Sequence, residues 1–164
     1  MALSALLIMA LAVPALAAVT FDPATGTGFV GKGDVQTAVG WNNKQLQADA
    51  ESVRFQVSSE VVTEVSWVCT NSNNENIQER ERTTTTTVQD VVTSIARERN
   101  QITGFILSRY SGTPTESSSS EVNPLNSCPS GPWSLTSPAG DPEVVSSTSE
   151  FQVSINGTDW IVLQ

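Results

Sequence analysis

The fold is decided by the stretch Ser52-Val-Arg-Phe-Gln-Val-Ser-Ser-Glu-Val-Val-Thr-Glu-Val-Ser-Trp-Val-Cys69. Apolar and polar residues alternate along it, first at Val53, Phe55 and Val57. After Ser58-Ser59, a second run places four residues on one face, Thr63, Val65, Trp67 and Cys69. A period of two is typical of half-buried strands. The stretch therefore predicts a β-sheet protein.

The end of the chain predicts a β-hairpin. Phe151, Val153 and Ile155 alternate with polar residues, and an apolar run returns from Trp160 to Leu163. Between them lies Asn156-Gly157, a pair that favours a two-residue type I′ turn.

Residues 79–99 fit two structures. As a helix, Val88, Val91, Val92, Ile95 and Ala96 share one face, with Thr87 and Asp90 as a capping box. As strands, a hairpin turning at Val88-Gln89-Asp90 would pair Glu81 with Arg97, which places opposite charges across the ladder. The five consecutive threonines from Thr83 to Thr87 favour strands.

The other segments complete an all-β prediction. Residues 21–33 are rich in Gly, Thr and Pro and predict an extended segment with turns, and Asp34–Trp41 predicts a short strand. Residues 111–150 hold six of the eight prolines and the run Ser117–Ser120, and predict one long Ser/Pro-rich loop. Together the segments predict an antiparallel sandwich or a barrel-like sheet.

Residues 1–17 predict a cleavable signal peptide. The apolar run Leu3–Val13 is shorter than the roughly 20 residues that a membrane span needs. Pro14 follows it, and Ala15-Leu16-Ala17 is a small-x-small cleavage site, although no Lys or Arg precedes the apolar run. We therefore expect a single secreted, extracellular domain over residues 18–164, with no stable membrane insertion after cleavage.

The chain contains two cysteines, Cys69 and Cys128. In an oxidising compartment a lone pair is most simply a disulfide, and the long loop gives a stabilisation of about 4 kcal/mol in the chain-entropy model. The wide spacing disfavours the alternative of a redox pair.

Composition narrows the function classes. A formal net charge of −9 repels nucleic acid. The absence of His excludes Ser-His-Asp and Cys-His catalysis, and we expect no metal site and no cofactor. The segment Gly26–Lys32 is similar to a phosphate-binding loop, but Gly33 stands where Ser or Thr would be needed, so its glycines are interpreted as structural.

Four tryptophans remain as candidates for binding. Trp67 and Trp160 lie in strand patterns and are expected in the core. Trp41 and Trp133 lie beside turn sequences, where exposed aromatic rings stack on sugar rings. They are the candidate ligand-binding residues; the alternative is that they cover the ends of the sheet or the disulfide.

Three segments carry a resemblance, Phe21–Gln36, Gly40–Asn43 and Asn100–Phe105. In them the chain resembles a group of uncharacterised exported proteins of Gram-positive, actinobacterial type. The resemblance implies export and a bacterial source. It transfers no catalytic or binding residue, because no activity is established for the group.

The sequence thus favours a secreted or envelope-associated, non-catalytic binding or interaction module. Its expected partner is a cell-wall or extracellular polysaccharide, or a protein, since long loops and sheet ends are common recognition sites. One alternative is a small glycan hydrolase that uses two carboxylates. Another is a structural or toxin-like secreted factor that acts through a protein partner.

Overall fold

The computed structural model describes residues 19–73, 76–122, 134–135 and 141–163. Its strands are β1 (Thr20–Asp22), β2 (Thr27–Gly31), β3 (Arg54–Thr70), β4 (Asn76–Glu98), β5 (Gln101–Val122), β6 (Ser134–Leu135), β7 (Glu143–Ser154) and β8 (Ile161–Val162). Its helices are α1 (Lys32–Val39), α2 (Asn43–Asp49) and a 3₁₀ turn at Ala50–Ser52. The predicted antiparallel β class is confirmed.

The described strands form one antiparallel sheet in the order β1-β2-β5-β4-β3-β7-β8, with β6 paired to the far end of β3. The sheet curls into a half-barrel. Helix α1 contacts β2 and β5 on one side and β7 and β8 on the other, so it lies in the concavity. The barrel-like form of the prediction is therefore closer to the structure than a sandwich.

The hydrophobic core lies between α1, α2 and the curled part of the sheet. We call the two helices and this part of the sheet the base. Val35 and Leu46 supply the helical side chains, and Phe55, Phe105 and Val153 supply strand side chains that are nearly fully buried. The rings of Phe55 and Phe105 lie with their centroids 5.5 Å apart. Burying such side chains is worth about 1.5–3 kcal/mol each, so the base supplies most of the packing energy among the described residues.

The strands continue beyond the base as a single layer that we call the blade, made of residues 58–70 of β3, 76–88 of β4, 111–122 of β5 and 143–150 of β7. Residues 61–66 and 83–89 are half-buried one after another, without alternation, and residues 111–121 and 143–150 are all exposed. In a sheet with one covered face, burial alternates. Over these residues the blade therefore has water on both faces; Cys69, near its far end, is buried.

The strand prediction for residues 79–99 is confirmed, but its hairpin is wrong. β4 runs without a turn from Asn76 to Glu98, and Arg97 pairs with Ile102 instead of Glu81. The turn comes at Arg99 and Asn100, which both have positive φ, as a two-residue type I′ turn requires. A register shift between Val88 and Asp90 marks the place where the turn was predicted.

Two further predictions need correction. Residues 34–41 were predicted as a strand, but residues 32–39 form α1, which ends at Gly40 in the left-handed conformation with its N–H bonded to Gln36 O. The long loop predicted over residues 111–150 is wrong for residues 111–122 and 143–150, which are strands; residues 123–133 and 136–140 lie outside the described residues.

The C-terminal hairpin is confirmed in outline, with a longer turn than predicted. Val153 pairs with Ile161, so the connection spans more than the pair Asn156-Gly157. The Oδ1 of Asn156 accepts hydrogen bonds from the backbone N–H groups of Thr158 and Asp159, both at 2.9 Å. Asn156 therefore forms an Asx turn at the position where the two-residue turn was predicted.

Candidate functional site

The candidate site arises because β4 is longer than its neighbour β3. The ladder between them ends at the pair Phe55 and Val91, but β4 continues to Glu98. On its other side β4 stays paired with β5 up to Glu98 and Gln101. From Val92 onward, β4 therefore has a strand on only one side among the described residues.

A short turn moves the chain away from β4 at this point. Residues Ala50–Ser52 form a 3₁₀ turn that the N–H of Val53 closes by donating to Ala50 O at 3.1 Å. The Ser52 hydroxyl donates to Asp49 O at 2.6 Å. The guanidinium of Arg54 donates to the carbonyls of Glu51 at 2.5 Å and Val53 at 3.0 Å. These bonds fix the chain before β3 in a turn, so it does not extend the ladder.

Helix α2, which leads into this turn, is fixed by a capping box. The side chain of Asn42 accepts from the N–H of Gln45 at 2.9 Å, and the Gln45 side chain accepts from the N–H of Asn42 at 3.0 Å. The side chain of Gln47 donates to Gln101 at 3.3 Å, beside the β4–β5 turn. These bonds hold the two sides of the gap in place, α2 with its 3₁₀ turn on one side and the β4–β5 turn on the other.

The gap is a cavity of about 640 Å³, which we call the notch. Its apolar lining comes from both sides of the gap and from the core. It includes Val53, Phe55, Val91, Ile95 and Phe105. The volume lies within the range of roughly 300–1,000 Å³ that ligand pockets have. Because Phe55 and Phe105 are only 1% exposed, the floor of the notch is the core itself.

Charged side chains lie at both ends of the notch. At the end where β3 begins, the lining includes Glu51, Arg54 and Asp90, and Arg97 lines it further along β4. Among the described residues, one salt bridge is present, and it lies in the blade, away from the notch. It joins Arg82 to Glu64 at 2.6 Å. Arg54 already donates to the carbonyls of Glu51 and Val53, so Glu51, Asp90 and Arg97 are the charged groups of the notch that have no ion-pair partner among the described residues.

The edge of β4 in the notch also carries unpaired backbone groups. No backbone hydrogen bond joins residues 93–97 to the turn at Ala50–Ser52. The hydroxyl of Thr93 donates to the carbonyl of Val91, at 3.1 Å, within the same strand. Since successive residues of a strand point their N–H and C=O groups to opposite sides, every second residue of this segment directs both groups into the notch.

The predicted site residues are not brought together here. Trp41 is half-buried and packs against the core, and it does not line the notch. Trp133 and Cys128 lie outside the described residues. Cys69 is buried near the end of β3, at the far end of the blade. The disulfide between Cys69 and Cys128 therefore stays a prediction.

Sequence reasoning did not find the notch, because no residue in it has a diagnostic spacing. The site depends on where two neighbouring strands start and end, and strand ends are the least certain part of a sequence-based assignment. The one available signal was Asn42, the N-cap of α2, whose residue type favours a helix start; the sequence analysis had placed only a turn sequence beside Trp41.

Among the described residues, no group of three or more Cys, Asp or Glu side chains is placed to hold a metal ion. No helix in the described ranges is long and apolar enough to cross a membrane.

No protein-family model matches the chain, and neither a curated protein nor a solved structure matches it. Its function must therefore be inferred from the geometry of its own residues.

Proposed function

We propose that this chain is a secreted or envelope-associated, non-catalytic binding module that holds its ligand in the notch. The observation that carries the proposal is the combination of an apolar floor, charged ends and an unpaired strand edge in one cavity. Ligand pockets typically join an apolar lining to a few placed polar groups.

Export is supported by the sequence of residues 1–17 and by the resemblance to exported proteins. Sequencing the amino terminus of the protein from its native culture tests this part. The expected mature start is Ala18. Protein that retains Met1 and is found only in the cytoplasmic fraction would contradict export.

Amide chemical shifts, measured while probes are added to the mature protein, test the binding site. Soluble cell-wall polysaccharide fragments and short synthetic peptides are the two probe classes. We expect a binding probe to shift residues 50–55 and 90–97, and the shifts to weaken in Arg97→Glu. Arg109→Glu is the matched control, since Arg109 is an exposed arginine of the same sheet that does not line the notch. Shifts confined to the blade or to the surroundings of Trp41 would overturn the proposed site.

The glycan hydrolase alternative makes a separable prediction. Its two carboxylates would be Glu51 and Asp90, which both line the notch. Hydrolysis would release reducing ends from the polysaccharide, and Glu51→Gln would stop the release while leaving binding intact. Binding without release of reducing ends supports the non-catalytic function.

A specific observation also favours the interaction alternative. β7 is an edge strand over residues 143–150 of the described sheet, and Val144 and Val145 on it are 59% and 46% exposed. Exposed edge strands are templates for pairing with another chain.

A further inference from the structure

We propose that the ligand of the notch is an extended peptide segment of another protein, which adds to the free edge of β4 as an antiparallel strand. This inference rests on the proposed function and names the class of partner. The peptide would occupy the place next to β4 that β3 leaves empty beyond Val91.

The backbone of β4 provides the main reason. Residues 93–96 keep a regular antiparallel ladder with β5, from the pair Thr93 and Leu107 to the pair Ala96 and Gly104. A strand with one regular ladder already has the geometry to accept a second one. Peptides that add to sheet edges gain affinity from main-chain hydrogen bonds and specificity from pockets at alternate positions.

The apolar floor provides the second reason. Side chains of an added strand point alternately to the two faces of the sheet. Those on the concave face would lie over Ile95, Phe105 and Phe55, which line the notch. The peptide is therefore expected to be apolar at every second position and polar in between.

The charged side chains of the notch indicate which residues the peptide carries at its two ends. Glu51 and Asp90 outweigh Arg54 where β3 begins, and Arg97 stands further along β4. A strand antiparallel to β4 has its amino end near Arg97 and its carboxyl end next to the start of β3, on the side of Glu51 and Asp90. We therefore expect an acidic residue at the amino end of the peptide and a basic residue at its carboxyl end.

The probe is the synthetic peptide acetyl-Glu-Val-Thr-Val-Thr-Val-Lys-amide, titrated into the mature protein. We expect saturable binding, weakened at least about tenfold by Arg97→Glu, which corresponds to about 1.4 kcal/mol. Arg109→Glu is expected to change the affinity less than twofold. Ile95→Ala tests the floor, and Ile106→Ala is its control, because Ile106 is 46% exposed and does not line the notch.

Methylating the peptide nitrogens one at a time tests the mode of binding. An N-methyl group removes one hydrogen-bond donor and leaves the side chain unchanged. In an added strand every second N–H bonds to β4, so methylation is expected to abolish binding at alternate positions and to be tolerated at the positions between. Equal losses at all positions, or none, would overturn strand addition.

The two proposals fail differently. If polysaccharide fragments shift the notch residues and the peptide does not, the binding module stands and the peptide inference is wrong. If the folded protein shows no shift in the notch with either probe class, the proposed function itself is wrong. The amide spectrum of each variant reports whether it is folded, so a loss of binding is not confused with unfolding.

Discussion

At the scale of single residues, glycines let the strands of the base approach one another. Gly104 lies opposite Gly31, and a Cβ at Gly104 would overlap the ring of Phe29 and the carbonyl oxygen of Val30. The structural interpretation of the Gly26–Lys32 segment agrees with this packing, because residues 27–31 form β2, which pairs with β5. Close backbone approach explains these glycines without a phosphate ligand.

We expect Gly104→Ala to lower the free energy of unfolding by about 1–3 kcal/mol, the range for overpacking a core. Gly33→Ala is the control, since nothing lies within 4 Å of a Cβ there and the residue is helical. It is expected to raise the stability by up to about 1 kcal/mol. Urea unfolding curves measure both changes. An unchanged stability in Gly104→Ala would contradict the packing of β2 on β5.

Tyr110 offers a second test at the residue scale, because it is the only tyrosine in the chain. Its hydroxyl donates to Pro23 O at 2.7 Å. Burial, followed by the charge of Asp22, raises the pKa of Tyr110 above its ordinary value of 10.0.

Because the folded-state pKa is the higher one, the stabilising contribution of Tyr110 is fully present below pH 10 and is lost as pH rises through the folded-state pKa. Near-ultraviolet absorbance of tyrosinate, followed against pH, is expected to show a higher midpoint in the folded protein than in urea. Asp22→Asn should reduce the difference without removing it. Coincident curves would show that the ring is not packed as described.

At the scale of elements, the sequence predicted β3 and β4 as strands and missed two serine-rich strand segments, residues 111–122 of β5 and 143–150 of β7. Residues 53–57 alternate because the concave face of β3 is covered by the core, and the strand was predicted there. Residues 117–120 and 146–149 have water on both sides. A strand exposed on both faces needs no apolar alternation, so these serines were interpreted as a loop.

The helix α1 was missed for a different reason. Val35, Thr37 and Val39 alternate, but Val35, Ala38 and Val39 also have helical spacing, and eight residues are too few to separate the two patterns. The left-handed Gly40 after them was the stronger signal. The candidate site depends on this region of helices and turns, so an all-β prediction could not contain it.

The edges of the blade make a prediction about association. Glu143 and Glu150 are the charged residues of the β7 edge, and charges on edge strands oppose pairing with another chain. The double variant Glu143→Thr, Glu150→Thr is expected to self-associate at concentrations where the parent protein is monomeric, as measured by sedimentation velocity.

The matched control is Asp49→Thr with Glu98→Thr, which removes two exposed acids outside the blade. Association of the control to the same extent would assign the effect to net charge instead of to the edge. A monomeric edge variant would contradict the role of β7 as an accessible edge and weaken the interaction alternative.

At the scale of the whole molecule, packing and charge are distributed unequally. The blade contains eight glutamates and two arginines, a formal charge of −6 within a total of −9. The hydrophobic core lies in the base. The acidic blade thus carries most of the formal net charge, whereas the base holds the core and the notch.

The predicted disulfide would stabilise the blade at its far end, where Cys69 is fully buried. Protein from an oxidising compartment, unfolded without reductant, is expected to show no reactive thiol. Reduction should lower the free energy of unfolding by about 4 kcal/mol in the chain-entropy model. Cys128→Ser separates the loss of the bridge from the chemistry of the reductant. Two reactive thiols in the unfolded exported protein would contradict the bridge.

The free edge of β4 is tested most directly by amide hydrogen exchange at residues 93–96 of the mature protein. We expect two of these amides, at alternate positions, to be protected by their bonds to β5, and the two between them to exchange rapidly from the notch. A ligand that adds as a strand should then slow the rapid pair. Equal protection of all four amides in the free protein would show that this side of β4 is already covered, and the notch would not be a binding site.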